Sequence, residues 1–321
     1  MPASAKTSSA LTVTLASDRE VVLTRAFNAP LIMVFQALSK PEHVLRWFGP
    51  RNCPIVACEM DFRVGGSWRY ALRRPGGGGD MIMRGVYREI HAPVRFVSTE
   101  SFDDFPGSET VNTVTLSPQD NRTILEVRVL YPSKEVRDAV LQSGMEKGAG
   151  ETYDRLAEHL DAVAAAPPTE AEVTITRVFD APRELVFRAW TDPRYLQRWW
   201  GPAGFTNPKC EFDARPGGAI LIHMRGPDGM VHPMSGTVVE IVPPERLVFR
   251  SAAIGPGGQP LFETLNVVTF AQEAKNKTKL TVHAKASNVR PEAAPALAGM
   301  EIGWNMSLDR LAVELQEHGD E

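Results

Sequence analysis

Residues 25–66 read RAFNAPLIMVFQALSKPEHVLRWFGPRNCPIVACEMDFRVGG, and residues 177–218 read RVFDAPRELVFRAWTDPRYLQRWWGPAGFTNPKCEFDARPGG. Aligned without a gap, they agree at 18 of 42 positions, among them Arg25/Arg177, Phe27/Phe179, Val34-Phe35/Val186-Phe187, Arg46-Trp47/Arg198-Trp199 and Cys58-Glu59/Cys210-Glu211. Beyond this stretch the register drifts by a few residues, as loop insertions produce. Gly85 meets Gly236, Thr123 meets Thr278, and Asp154-Arg155-Leu156 meets Asp309-Arg310-Leu311. The period far exceeds the roughly 20–45 residues of a solenoid repeat, so each copy is a whole domain.

One copy therefore decides the fold of both. It opens on an alternating strand, Val21–Arg25 or Val173–Arg177, followed by Asn28-Ala-Pro or Asp180-Ala-Pro, an N-cap type and a proline at a helix start. Two short helices reach Trp47 and Trp199, and Gly-Pro stops both. About six strands follow, separated by turn signals at Pro75–Asp80 and Gly226–Gly229, at Pro93 and Pro243-Pro244, and at Asp120-Asn121 and Lys275-Asn276. Short connections between consecutive strands predict an antiparallel meander. A long helix closes each copy, with an apolar stripe through Met145, Ala149, Tyr153, Leu156 and Leu160, or through Leu297, Met300, Trp304, Leu308, Leu311 and Leu315. The expected architecture is α+β, one helix face laid on one curved antiparallel sheet. The expected boundaries are a disordered leader at 1–19, a first domain at 20–163, a linker at 164–171 and a second domain at 172–318. Intramolecular pairing of the two domains would mimic a homodimer.

The chain has 321 residues and a formal net charge of −4, which offers no basic footprint for nucleic acid. No run approaches the roughly 18 apolar residues of a membrane span, and the Ser/Thr-broken N-terminus is a poor signal peptide, so no membrane insertion is expected. Cys53, Cys58 and Cys210 form no disulfide framework, and a reducing cytoplasm is the expected location.

The run Arg-x-Phe-(Asn/Asp)-Ala-Pro…Trp-(Phe/Trp)-Gly-Pro…Cys-Glu-x-Asp-x-Arg-x-Gly-Gly, with Gly303-Trp304…Leu308-Asp309-Arg310-Leu311, resembles the SRPBCC (START/polyketide cyclase-like) superfamily. Within it the nearest likeness is to the group similar to the C-terminal domain of the activator of heat-shock protein 90 ATPase. The resemblance covers about residues 20–163 and 172–318. It implies two tandem helix-grip folds, each a curved sheet wrapped on a long C-terminal helix around a hydrophobic cavity. It also implies binding or carriage of a small, mostly apolar molecule there. A minority of the superfamily are enzymes, and a chaperone ATPase-activating role follows only from the group's name. Fold-level analogy does not supply the chemistry.

No HExxH, G-x-S-x-G, phosphate-loop or CxxC motif is present, so catalysis is not the first expectation. No metal-ligand spacing occurs, and neither metal nor cofactor is expected. Asp61/Arg63 and Asp213/Arg215 suit either a ligand carboxylate or a surface ion pair. Cys58 and Cys210 suit either a reactive thiol or a small buried hydrophobe. Alternation and helical spacing nominate the cavity lining: Trp47, Trp68, Tyr70, Leu72, Met145, Ala149 and Tyr153 in the first copy. In the second they nominate Trp199, Ile220, Ile222, Met224, Met300, Trp304 and Leu308. Trp47 and Trp199 suit core packing equally well. The mid-helix glycines Gly148 and Gly303 suggest a kink or a close approach to the sheet. Polar groups expected to reach inside are Glu109 and Asn112, then His232, Glu263, Asn266 and His283. Glu263 with His232 or His283 is the catalytic set that a cyclase, dehydratase or hydrolase would need. The copies differ in bulk: Leu38, Phe48 and Ala149 stand where the second has Trp190, Trp200 and Trp304. The first pocket is thus either roomier or refilled by Trp68 and Tyr70.

Overall fold

A computed structural model of the chain describes residues 10–119, 122–165, 171–227, 229–255, 257–290 and 293–317. The chain divides into two compact units, Met1–Ala166 and Pro167–Glu321. In the first, strands β1 (Thr12–Leu15) and β2 (Glu20–Phe27) lead into helices α1 (Leu31–Ser39) and α2 (Pro41–Trp47). Strands β3 (Ile55–Met60), β4 (Ser67–Arg73), β5 (Asp80–His91), β6 (Arg95–Phe102), β7 (Thr110–Gln119) and β8 (Arg122–Leu130) follow. Helices α3 (Lys134–Gln142) and α4 (Met145–Ala165) close the unit. The sheet order is β1-β2-β8-β7-β6-β5-β4-β3, every neighbour antiparallel.

The second unit repeats this with β9 (Glu172–Phe179), α5 (Arg183–Thr191), α6 (Pro193–Trp199), β10 (Thr206–Phe212), β11 (Ala219–Arg225) and β12 (Val231–Val242). It continues with β13 (Arg246–Ile254), β14 (Pro260–Ala274), β15 (Lys277–Ser287), α7 (Ala294–Ala298) and α8 (Met300–Glu317). Its sheet runs β10-β11-β12-β13-β14-β15-β9. The expected meander and closing helix are both present.

Several local expectations need correction. The segment expected as a disordered leader contains β1, which pairs Thr12 with Thr24 through Leu15 with Val21, because Leu11 and Val13 pack on the Val21–Leu23 cluster. Residues 1–9 lie outside the described residues. Ala164 and Ala165, expected in the linker, still belong to α4, and 166–170 lie outside the described residues. Asn28 and Asp180 do not cap the first helices; Pro30 and Pro182 stand at the cap without a side-chain bond. What holds the Asn/Asp-Ala-Pro turn is a wholly buried threonine from the sheet. Thr123 Oγ1 donates to the Ala29 carbonyl and Thr278 Oγ1 to that of Ala181, both at 2.7 Å.

The Gly-Pro ends of α2 and α6 are fixed by the long helices. Arg155 Nη1 donates to the Phe48 and Gly49 carbonyls, and Nη2 to that of Arg46. Arg310 does the same to Trp200, Gly201, Pro202 and Arg198. A planar guanidinium with five donors suits a cluster of orphaned C-terminal carbonyls. The Asp-x-Arg-x-Gly-Gly motif is a turn after β3 or β10 rather than part of the strand. A Cβ at Gly66 or Gly218 would lie 2.0 Å from the carbonyl oxygen of Asp61 or Asp213. The Asp61–Arg63 and Asp213–Arg215 pairs, at 2.8 and 2.7 Å, sit on the exposed rim of that turn.

The mid-helix glycines also differ from expectation. A Cβ added at Gly148 or Gly303 would meet no neighbour within 4 Å, so neither residue serves a close approach to the sheet. Each is half-buried on α4 or α8, and its carbonyl accepts from a hydroxyl one turn on, Thr152 or Ser307, at 2.8 Å. The helix therefore borders open space there. Gly148→Ala and Gly303→Ala are expected to stabilise their domains by about 0.5–1 kcal/mol, the entropy glycine forfeits in a helix. Denaturant unfolding of the full chain measures this, and a loss of stability in either variant would show that the space is not free.

Candidate functional site

The interiors of the two domains share a backbone and differ in filling. In the second, Trp190 on α5, Trp199 and Trp200 at the end of α6, and Trp304 on α8 form one indole cluster. Trp190 stacks on Trp304 at 5.8 Å and 19°, Trp200 meets Trp304 edge-on at 5.4 Å, and Trp200 reaches Phe249 at 6.2 Å. Ile220, Ile222 and Leu308 belong to the same buried cluster, with Met224 packed against it. In the first domain the matching positions hold Leu38, Trp47, Phe48, Ala149 and Ser98. Bulk returns elsewhere, at Trp68 and Tyr70 on β4, Tyr87 on β5, Tyr131 just after β8 and Tyr153 on α4, where the second domain has Ile220, Ile222, Val238, Ala286 and Leu308. An apolar plug in one copy becomes a wall of hydroxylated rings in the other.

At the centre of that wall is Glu100. Strand alternation puts Phe96, Ser98 and Glu100 on one face of β6, opposite Asn112 and Thr110 of β7. Asn112 Nδ2 donates to Glu100 Oε2 at 3.1 Å, and its own Oδ1 accepts from Thr110 Oγ1 at 3.2 Å. Burial pushes the carboxyl up to about 7, with the Asn112 bond opposing. Burial also raises the phenols of Tyr70, Tyr87 and Tyr153 and takes Tyr131 up to about 12. The Glu100 charge adds to this at Tyr70, Tyr131 and Tyr153. Those three hydroxyls therefore stand within electrostatic reach of the carboxyl. Glu100 and Tyr153 carry this desolvation yet keep part of their surface accessible. Both groups are thus desolvated without being sealed off. Trp68 adds a buried indole N–H with no hydrogen-bond partner among the described residues, its ring 4.6 Å from that of Tyr70.

The second domain keeps the same network in closed form. Ser251 replaces Glu100, and Thr264 and Asn266 replace Thr110 and Asn112. Ser251 Oγ meets Thr264 Oγ1 at 2.7 Å, and Asn266 Nδ2 donates to Thr264 Oγ1 at 2.8 Å and to Ser251 Oγ at 3.2 Å.

With both sites described, the comparisons become meaningful. The family described as "Activator of Hsp90 ATPase homolog 1-like protein" matches residues 28–161 and again 180–316. The chain belongs to this family, twice over. Among solved structures it is similar to a protein of Rhodobacter sphaeroides at 28% identity, covering 48% of this chain and 99% of that one, with a TM-score of 0.46. A Chromobacterium violaceum protein is 30% identical over 44% of this chain and 95% of its own, with a TM-score of 0.38. The AHSA1 protein of Silicibacter pomeroyi is 24% identical over 46% and 98%, with a TM-score of 0.40. No curated protein matches. The family establishes two helix-grip domains and leaves their contents to be read from the residues.

The residues nominated from sequence fall into three groups. Tyr70 and Tyr153 stand within electrostatic reach of Glu100, Trp68 lies against Tyr70, and Met145 and Ala149 pack on the cluster that includes Tyr131. Trp47 and Trp199 are packed core instead. They are 3% and 0% exposed, and their indole N–H groups donate to the Ala37 and Ala189 carbonyls at 2.8 and 2.9 Å, tying the two short helices together. Leu72, Ile220, Ile222 and Leu308 are likewise packed core, while Met224, Met300 and Trp304 remain half-buried.

The catalytic set does not assemble. Glu263 is exposed and accepts from Asn288, and His283 lies on the outer face of β15, 2.6 Å from Glu172. His232 is exposed at the rim beside Phe205. Alternation explains this: the inner face of β14 carries Thr264, Asn266 and Val268, and that of β15 carries Val282 and Ala284. Glu109, expected inside, is exposed and pairs with Arg88 at 3.6 Å. The thiols of Cys58 and Cys210 are raised by burial to about 12 and about 11, against a reactive role. Among the described residues no three His, Cys, Asp or Glu side chains converge as a metal site, and no helix is long and apolar enough to cross a membrane.

Glu100 was missed from sequence because its counterpart is Ser251, so the repeat did not mark it. The signal available was Thr-x-Asn at both 110–112 and 264–266, facing a strand that carries an acid in one copy only. Its elevated folded value gives a pH test with a definite sign. Its stabilising contribution is complete below the unfolded carboxylate value and is lost as pH rises through about 7. Glu100→Gln is therefore expected to gain about 1–3 kcal/mol over the wild type between pH 5 and pH 8. Denaturant unfolding of both full chains at the two pH values measures it, and parallel profiles would place Glu100 in water.

Proposed function

We propose that the first domain binds a small, mostly apolar ligand carrying a polar group, in the space between its sheet and α4. The second domain is a packed structural partner. The observation that carries this reading is the pairing of desolvation with residual accessibility at Glu100 and Tyr153, in the domain whose long helix carries the small, half-buried Ala149. A mostly apolar lining with a few convergent polar groups is what ligand sites of this size use. Where the first domain has Ala149, the second has Trp304 stacked on Trp190, which occupies the equivalent space.

A second reading rests on the same carboxyl. An acid whose proton is exchanged near neutrality, facing enclosed space beside tyrosine hydroxyls, suits general acid–base catalysis on an apolar substrate. Compounds released on denaturing gently purified protein separate the two readings. One compound supports carriage; two compounds interconverted by the folded protein support an enzyme.

The binding reading is tested by titrating the full chain with N-phenyl-1-naphthylamine, an uncharged apolar fluorophore. Ala149→Trp, which gives the first domain the second domain's residue, is expected to weaken binding at least tenfold. Trp304→Ala is expected to leave the first site's titration in place. Absence of binding to the wild type, or an Ala149→Trp titration identical to it, would overturn the proposal.

A further inference from the structure

Deepening the ligand-binding reading on which it rests, we infer that the ligand of the first domain presents an organic cation, an amine or quaternary ammonium group, to Glu100.

The argument begins with what the carboxyl lacks. A carboxylate taken out of water is retained at a cost unless it is paired and hydrogen-bonded. Among the described residues Glu100 takes one side-chain hydrogen bond, from Asn112, whose amide oxygen is already occupied by Thr110. The carboxylate's remaining acceptor positions take no other side-chain hydrogen bond, and part of its surface is accessible. Among the described residues no cation is paired with it. Arg25, the guanidinium near Tyr153, is engaged by Asp154 at 2.7 Å and by the Gly150 carbonyl, with Phe27 under its guanidinium at 5.5 Å. The arginines of β4 and β5 are turned outward and paired: Arg69 with Glu59, Arg84 with Asp103 and Arg88 with Glu109. Arg128 of β8 is likewise outside, with Glu20 and Glu126.

What stands within electrostatic reach of the carboxyl is aromatic: Tyr70 from β4, whose hydroxyl donates to Met60 Sδ at 3.5 Å, Tyr131 after β8 and Tyr153 from α4, with Trp68 lying on Tyr70. Aromatic faces carry negative quadrupole and attract ammonium groups, most strongly where water is excluded. A carboxylate set among such rings favours a positive group and repels an anion. A purely apolar occupant would leave the carboxylate unanswered. The second domain shows the alternative, since Ser251, Thr264 and Asn266 satisfy one another and require nothing from a ligand. Replacing that serine by glutamate opens the network toward the space and gives it a charge.

The test displaces N-phenyl-1-naphthylamine from the full chain with three competitors of equal chain length: octyltrimethylammonium, 1-octanol and octanoate. At pH 8 the cation is expected to displace the dye at a concentration at least tenfold lower than octanol, with octanoate weakest. In Glu100→Gln the cation-to-octanol ratio is expected to fall to near one. A quaternary ammonium does not titrate, so its pH dependence reports the protein. Between pH 8 and pH 6 its affinity for the wild type should fall about tenfold, as the ionised fraction of a carboxyl near 7 falls. This profile needs no variant, and it stands even if Glu100→Gln is poorly folded. Equal displacement by all three competitors, or preference for octanol or octanoate, would overturn the cation and leave ligand binding intact. Failure of the wild type to take up the dye would remove the binding reading itself.

Discussion

A single guanidinium in each domain ties the long helix to the end of the second short helix, and the geometry of the interior depends on it. Arg155 and Arg310 each satisfy three or more carbonyls at the Gly-Pro terminus. Without such a donor the Gly49 and Gly201 carbonyls would lose this bond, at a cost of about 1–3 kcal/mol each where water cannot replace it. The buried threonines Thr123 and Thr278 do the corresponding work at the other end of the short-helix pair, holding the Ala-Pro turn onto the sheet. With both ends fixed, Trp47 and Trp199 are locked between the short helices, and the space left under α4 or α8 is defined by side chains alone.

That space is where the two copies part. A curved sheet gripping one helix cannot close the gap with backbone, so a handful of positions decides whether it is filled. In the second domain four indoles from the helices and Phe249 from β13 fill it, and the polar trio beneath satisfies itself. In the first, the helices are trimmed to Leu38, Phe48 and Ala149 at the matching positions, and hydroxylated rings stand on β4, on β5, after β8 and on α4. The added glutamate places a desolvated carboxyl where the other copy has a serine satisfied by Thr264 and Asn266.

The fold could be read from the chain because its signals are local and appear twice. The strand alternation, the Gly-Pro stops and the 3–4 spacing of Met300, Trp304, Leu308, Leu311 and Leu315 each follow from short-range periodicity. Duplication separated signal from noise at Arg46-Trp47, Cys58-Glu59 and Gly65-Gly66. The site was legible only in part. Trp68, Tyr70, Ala149 and Tyr153 came from alternation and helical spacing, whereas Glu100 did not, since it breaks the repeat at a position where the other copy has serine. His232, Glu263 and His283 were nominated on chemical type, and strand parity sends two of them outward.

By itself, the sequence determined that this chain is two copies of one α+β domain, where the turns fall, and which positions carry bulk. Those properties depend on neighbours within a few residues, or on comparison of one copy with the other. Only the tertiary structure decided that Asn112 bonds Glu100 and that Tyr70, Tyr131 and Tyr153 stand within its electrostatic reach. Desolvation and charge pairing depend on groups brought together from three strands, the residue after β8 and a helix, far apart in the chain, and no local pattern encodes that convergence.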